Sequence, residues 1–131
     1  AGHGVHACTD VTGFGMLGHA REMADGSGKT IELWADKMPL LPHAEELAKM
    51  GIIPAGAYRN LGYVQDHVDF GAGVPQHIRD ILCDPQTSGG LLLGVAETAA
   101  KGMLERLGEC CAESRIVGQT LPRRERAILV K

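Results

Sequence analysis

Cys8-Thr9-Asp10-Val11-Thr12-Gly13-Phe14-Gly15 is the stretch on which the fold turns. Upstream of it, residues 5–11 read as a short strand or extended entry. Downstream, Phe14, Leu17 and Ala24, with the stem of Arg21, recur at helical spacing, and Met16, Ala20 and Met23 fall beside them. This spacing predicts a helix over 13–24. Thr12 stands where an N-cap hydroxyl would accept a backbone N–H that the first turn leaves free. A carboxylate and two hydroxyls therefore precede a helix start, where unpaired N–H groups and the helix dipole favour an anion. Asp10 itself suits a hard cation such as Mg2+, which takes oxygen ligands and often bridges to phosphate. The plainer alternative is that Asp10 and Thr12 only cap the helix, and spacing leaves both open.

Further along, Asp25-Gly26-Ser27-Gly28 stops the helix. Residues 29–35 then alternate, with Ile31, Leu33 and Ala35 on one side and Thr30, Glu32 and Trp34 on the other, the pattern of a half-buried strand. Pro39 and Pro42 mark a turn. Short helices are expected over 43–50, with Leu47 and Met50 on its apolar face and Gly51 as terminator, over 55–61 ahead of Gly62, and over 75–82 behind Pro75. Residues 62–74 read as loop. The polar segment Asp84-Pro85-Gln86-Thr87-Ser88-Gly89-Gly90 runs into Leu91-Leu92-Leu93-Gly94-Val95-Ala96, an apolar stretch of strand length. A helix over 97–107 follows, striped by Ala100, Met103, Leu104 and Leu107. Strands over 113–119 and 126–130 close the chain. Helices and strands intersperse, so the expected fold is α+β, a mixed sheet with helices packed on it.

The bulk numbers narrow the function. A chain of 131 residues fits one domain and can bury its own core. Glycine is frequent, at 18 residues, against an average usage of about 7%, so close backbone approaches are expected. The formal net charge of −3 argues against a nucleic-acid partner. The one basic cluster, Arg123, Arg124 and Arg126, is interrupted by Glu125 and belongs to a turn. There is no apolar run of membrane-spanning length and no signal-peptide pattern at Ala1-Gly2-His3-Gly4. Four cysteines are too few for a disulfide scaffold, so reduced thiols and a cytoplasmic setting are expected.

Small residues in 84–90 can turn several N–H groups onto an anion; equally, the segment serves as an ordinary strand-entry loop. Gly26-Ser27-Gly28-Lys29-Thr30 ends like a phosphate loop, but the first glycine of that pattern is replaced by Met23 and the order is helix to strand, so a turn is expected. His3, His6 and Cys8 lack the paired spacing of a structural zinc site. Cys110 and Cys111 are read as one buried and one surface thiol. Cys83 has no obvious activating partner. His19, on the helix of the first segment, is an outside candidate.

His6-Ala7-Cys8-Thr9-Asp10-Val11-Thr12-Gly13-Phe14-Gly15, followed by Leu17-Gly18-His19, resembles the signature opening the C-terminal domain of the selenide, water dikinases. Asp84-Pro85-Gln86-Thr87-Ser88-Gly89-Gly90-Leu91-Leu92 resembles a second signature of that family. The Thr-Gly-x-Gly portion alone points only to the wider aminoimidazole ribonucleotide synthetase-like superfamily. The resemblance covers essentially the whole chain. It implies a partly ferredoxin-like mixed sheet flanked by helices, as a single C-terminal domain over 1–131 of a larger two-domain enzyme. It implies an enzyme that turns selenide, ATP and water into selenophosphate, AMP and phosphate, working as a Mg2+-dependent homodimer with its nucleotide in a cleft between the domains. Asp10 matches the one Mg2+ ligand the C-terminal domain supplies. Thr9, Thr12, Gly13, Gly15, Thr87, Ser88 and Gly89 are the nucleotide-side candidates. The reactive Cys or selenocysteine and a lysine belong to the N-terminal part, so the segment alone is expected to be inactive. Another enzyme of the superfamily, or a non-catalytic interaction domain on the same scaffold, is the alternative.

Overall fold

A computed structural model describes residues 4–131; His3 therefore lies outside the described residues. The elements run β1 (Val5–Asp10), α1 (Gly15–Ser27), β2 (Lys29–Leu33), α2 (Ala44–Lys49), α3 (Ala55–Val64), β3 (Val68–Phe70), α4 (Gln76–Leu82), β4 (Leu91–Val95), α5 (Glu97–Gly108), β5 (Gly118–Pro122) and β6 (Ile128–Val130). They form two sheets. β1 and β4 pair antiparallel as a ribbon, and the other four strands lie in the order β3-β6-β2-β5. In that sheet β6 runs parallel to both β3 and β2, while β5 is antiparallel to β2. The fold is thus a mixed sheet with helices packed against it, as expected.

The core lies where α1 covers the four-stranded sheet. Leu17, Ala20 and Ala24 recur on one helical face and are fully buried. They join Leu33, Val64, Ile128 and Val130 in one cluster. Burying a side chain such as Leu17 stabilises the fold by about 1.5–3 kcal/mol, so this face, rather than helix propensity, holds α1 in place.

Several boundaries differ from expectation for physical reasons. The first helix starts at Gly15, not at 13, because Gly15 has a φ of 70° and the turn before it is closed by its N–H on the Thr12 carbonyl, 3.0 Å. Thr12 is not its N-cap; that position is Phe14, which makes no side-chain cap. The helix also runs on through Asp25 and Gly26, ending at Gly28. Gly62 does not end α3, which reaches Val64, and a three-residue strand, β3, occupies part of the segment read as loop. On α2 the residue turned inward is Ala48, whereas Leu47 and Met50 are 43% and 73% exposed. The fifth strand is Gly118–Pro122 rather than 113–119. It is an edge strand, and an edge tolerates Pro122 because no ladder bond is needed on its outer side. The glycine-rich turn before β2 carries no open phosphate loop: the Thr30 hydroxyl is buried, donating to the Arg126 carbonyl at 2.8 Å and accepting from Arg124 N–H at 2.9 Å.

β2 itself is buried on both faces rather than one. Glu32 is 5% exposed and is satisfied by Lys131 at 2.6 Å, Gln119 at 2.9 Å and Trp34 at 3.1 Å. Hydrogen bonds from Lys131, then Gln119 and Trp34, outweigh the cost of burial and bring its carboxyl down from 4.5 to about 2. The folded value lies below the unfolded one. Glu32 therefore contributes stability that is fully present above about pH 4.5 and lost as the pH falls through about 2. Urea midpoints at about pH 5 and about pH 2.5 are expected to differ more in the parent than in Glu32→Gln; equal differences would remove Glu32 from the acid limb.

Candidate functional site

The two polar segments singled out in the sequence meet in space. β1 ends at Asp10, which pairs with Leu91 at the start of β4, so the ribbon brings the end of one segment beside the end of the other. Backbone bonds then lock them: Val11 N–H donates to the Gly90 carbonyl at 2.9 Å, and Gln86 N–H to the Thr12 carbonyl at 3.0 Å. Gly89 lies so close to the Val11 carbonyl that a β-carbon there would overlap it. A β-carbon on Gly15 would stand 2.7 Å from the Cys83 carbonyl carbon and 2.8 Å from its oxygen. Asn60 on α3, which sequence reasoning did not single out, completes the joint. Its buried amide donates to the Gly13 and Cys83 carbonyls, each at 2.9 Å. An asparagine among the apolar residues of α3 was the available signal, since a buried amide must find partners.

The sequence-derived candidates take distinct positions around this joint. Asp10 is exposed at the strand end, and among the described residues its carboxylate makes no hydrogen bond or ion pair. Thr9 donates its hydroxyl to the Asp10 carbonyl at 3.2 Å. Thr12 places Oγ1 3.0 Å from His19 Nε2, and His19 Nδ1 lies 3.3 Å from a Glu22 carboxylate oxygen. Gly13 is exposed next to Thr12, and Gly15 is buried in the contact with Cys83. Thr87, Ser88 and Gly89 form the exposed crest of the second segment.

Asp84, the first residue of that segment, is partly buried. One of its carboxylate oxygens accepts from Gln86 Nε2 at 2.9 Å. The other is shut off from solvent without a partner. Burial pushes this carboxyl above its ordinary value, against the smaller lowering by the Gln86 bond. Cys83 is buried, and burial together with nearby Asp80 pushes its thiol up to about 12, so it is held as an unreactive thiol. Cys8, Cys110 and Cys111 are exposed free thiols, which corrects the expectation that one of the adjacent pair is buried.

A magnesium ion is tested by the donors present. Asp10 offers an exposed carboxylate with free oxygens, the donor type a hard cation takes. Among the described residues no three His, Cys, Asp or Glu side chains converge as a metal cage. The residues fit a chain that contributes a ligand to a shared ion, and they do not fit zinc held by His6 and Cys8 within the described residues. No helix is long and apolar enough to cross a membrane.

Over 127 residues the chain is 49% identical to a protein of Clostridium botulinum (strain Eklund 17B / Type B) called selenide, water dikinase, covering 97% of this chain and 37% of that one. It is 50% identical over 130 residues to selenide, water dikinase 2 of Peptoclostridium acidaminophilum, covering 98% and 37%. It is 47% identical over 129 residues to the selenide, water dikinase of Caldanaerobacter subterraneus subsp. tengcongensis, again 98% and 37%. The chain thus spans a little over a third of the length of the curated relatives it matches. The family described as AIR synthase related protein, C-terminal domain, matches residues 1–131. With its mixed sheet, its flanking helices and this match along its whole length, the chain belongs to the AIR synthase related C-terminal domain family.

Proposed function

We propose that this chain is the C-terminal part of a selenide, water dikinase and forms one wall of a cleft for magnesium and ATP. The observation that carries the proposal is the joining of the two motif segments into one rim. That rim leaves one exposed carboxylate, Asp10, without a partner among the described residues. The dikinases similar to this chain extend well beyond it. The remaining groups of the cleft, including the reactive Cys or selenocysteine, would come from sequence outside these 131 residues. The reaction would take selenide, ATP and water to selenophosphate, AMP and phosphate.

Asp10 would hold the magnesium ion from this side, and the ion would supply neutralisation of the charge that develops on the phosphates. The chain's own task is positional. β1 and β4 present Asp10 at a strand end, Asn60 fixes the backbone at Gly13, and the contact of Gly15 with Cys83 holds the second segment against the first. Thr12, Gly13, Thr87, Ser88 and Gly89 line the exposed side of this joint, and Thr9 and Gly15 brace it. Such preorganisation matters because phosphoryl transfer is catalysed almost entirely by positioning and electrostatics. A lone carboxylate does not provide the full set, so the 131 residues by themselves would bind ATP weakly and turn nothing over.

The test is phosphorus NMR of the two-domain protein carrying this chain, supplied with ATP, magnesium and selenide. A new selenophosphate resonance that appears only with selenide, alongside AMP and phosphate, is the expected result. ATP consumption indifferent to selenide would favour another enzyme of the same superfamily, and no consumption would favour a non-catalytic role.

A further inference from the structure

We propose that Glu22 and His19 act as a relay that fixes the Thr12 hydroxyl as a donor toward the protein. What Thr12 shows to a ligand is then a lone pair. The inference rests on the Asp10–Thr12 rim being the ligand-facing one. It adds that, at its hydroxyl, Thr12 selects a hydrogen-bond donor or a cation and not a bare phosphate oxygen.

The argument starts from His19. It is 7% exposed, and each of its two ring nitrogens has a protein partner within reach. Nδ1 lies 3.3 Å from Glu22 and Nε2 lies 3.0 Å from the Thr12 hydroxyl. A neutral imidazole carries one proton, and the hydrogen bond at one nitrogen decides the state of the other. A bare Nδ1 would turn its lone pair onto the Glu22 carboxylate, which is repulsive. A protonated Nδ1 turns a positive edge to it. In the neutral ring the proton is therefore held at Nδ1, and Nε2 becomes an acceptor. Against an acceptor the Thr12 hydroxyl has to donate, because it carries a single proton. That commits its hydrogen inward and leaves only acceptor capacity on its exposed side.

Neighbouring groups hold the arrangement. The Phe14 ring packs against the imidazole at 5.7 Å between centroids, and the Thr12 carbonyl is taken by the Gly15 and Gln86 N–H groups. Thr12 is two residues from Asp10, whose carboxylate is also an acceptor. The side chains of this edge thus present oxygen lone pairs of one polarity. Any anion in the cleft would be received by backbone N–H groups or by residues outside the chain, while the Asp10–Thr12 edge faces the cation, water, hydroxyl or ammonium side. This refines the grouping of Thr12 with the glycines as nucleotide-side candidates.

Long-range proton–nitrogen correlation NMR on this chain at about pH 8, where an ordinary imidazole is neutral, tests the relay without turnover. The expected spectrum has His19 protonated at Nδ1 and bare at Nε2. In Glu22→Ala, a truncation at a half-exposed position, the preference for Nδ1 should be lost and the two tautomers should mix. A wild-type His19 protonated at Nε2 overturns the proposal, because Thr12 would then be free to donate outward. An unchanged Nδ1 tautomer in Glu22→Ala removes Glu22 from the relay. Either result is independent of whether Asp10 holds a metal, so failure here and failure of the proposed cleft remain distinguishable.

Discussion

Under the proposed function, selenide-dependent turnover of the longer protein carrying this chain is expected to fall by at least about a hundredfold on Asp10→Asn, with the fold of these residues intact. Loss of an outer-shell partner of a metal ligand already costs about 10–100-fold, and loss of a ligand carboxylate removes the negative charge itself. The amide of Asn is a weaker, neutral oxygen donor, so added magnesium should restore part of the rate. Stability should change by no more than about 0.5 kcal/mol, as for surface positions without special contacts. Asp10 is exposed, and its place in the ribbon depends on backbone pairing with Leu91 rather than on its carboxylate. Steady-state kinetics across a magnesium series, beside a urea melt, separate the two effects. Wild-type turnover would remove Asp10 from the cleft. A loss of rate accompanied by an equal loss of folded protein would make its role structural.

The second large effect falls on folding. Gly15→Ala puts a methyl group where the nearest atoms are the Cys83 carbonyl carbon at 2.7 Å and oxygen at 2.8 Å, with the Asp84 carbonyl oxygen at 3.0 Å. These are backbone atoms and cannot rotate aside. The residue also has a φ of 70°, where a β-carbon costs about 1–2 kcal/mol, and overpacking adds about 1–3 kcal/mol. A loss of about 2–5 kcal/mol is a large part of the 5–15 kcal/mol that typically stabilises a domain. Gly13→Ala is the matched control, since a β-carbon there meets nothing within 4 Å. Urea denaturation should lower the midpoint strongly for Gly15→Ala and slightly for Gly13→Ala. Equal midpoints would mean that the two segments are not in the contact described.

Much of this was legible in the residues, and the misses share a cause. The helix face of Leu17, Ala20 and Ala24 follows from spacing, and both polar segments were visible as segments. Their junction was not, because Val11–Gly90 and Thr12–Gln86 are main-chain bonds between residues more than seventy positions apart, and main-chain bonds leave no mark on side-chain choice. Glu32 misled for the opposite reason. Alternation places it on a wet face, whereas the strand is internal and its carboxylate is satisfied by Lys131 and Gln119 from distant sequence. Thr12 stood in a position suited to an N-cap, yet its hydroxyl went to His19, seven residues on. A local rule cannot weigh a partner that the helix itself brings round.

Asn60 carries one more implication. A single amide grips both the carbonyl after Thr12 and the carbonyl before Asp84, so α3 works as a shared hinge pin for two loops that are remote in the chain. Any force that slides α3 along its axis would drag both crests together, and a molecule pulling on one crest would be felt at the other. Opening and closing of such a rim would be concerted, with the third helix as its handle.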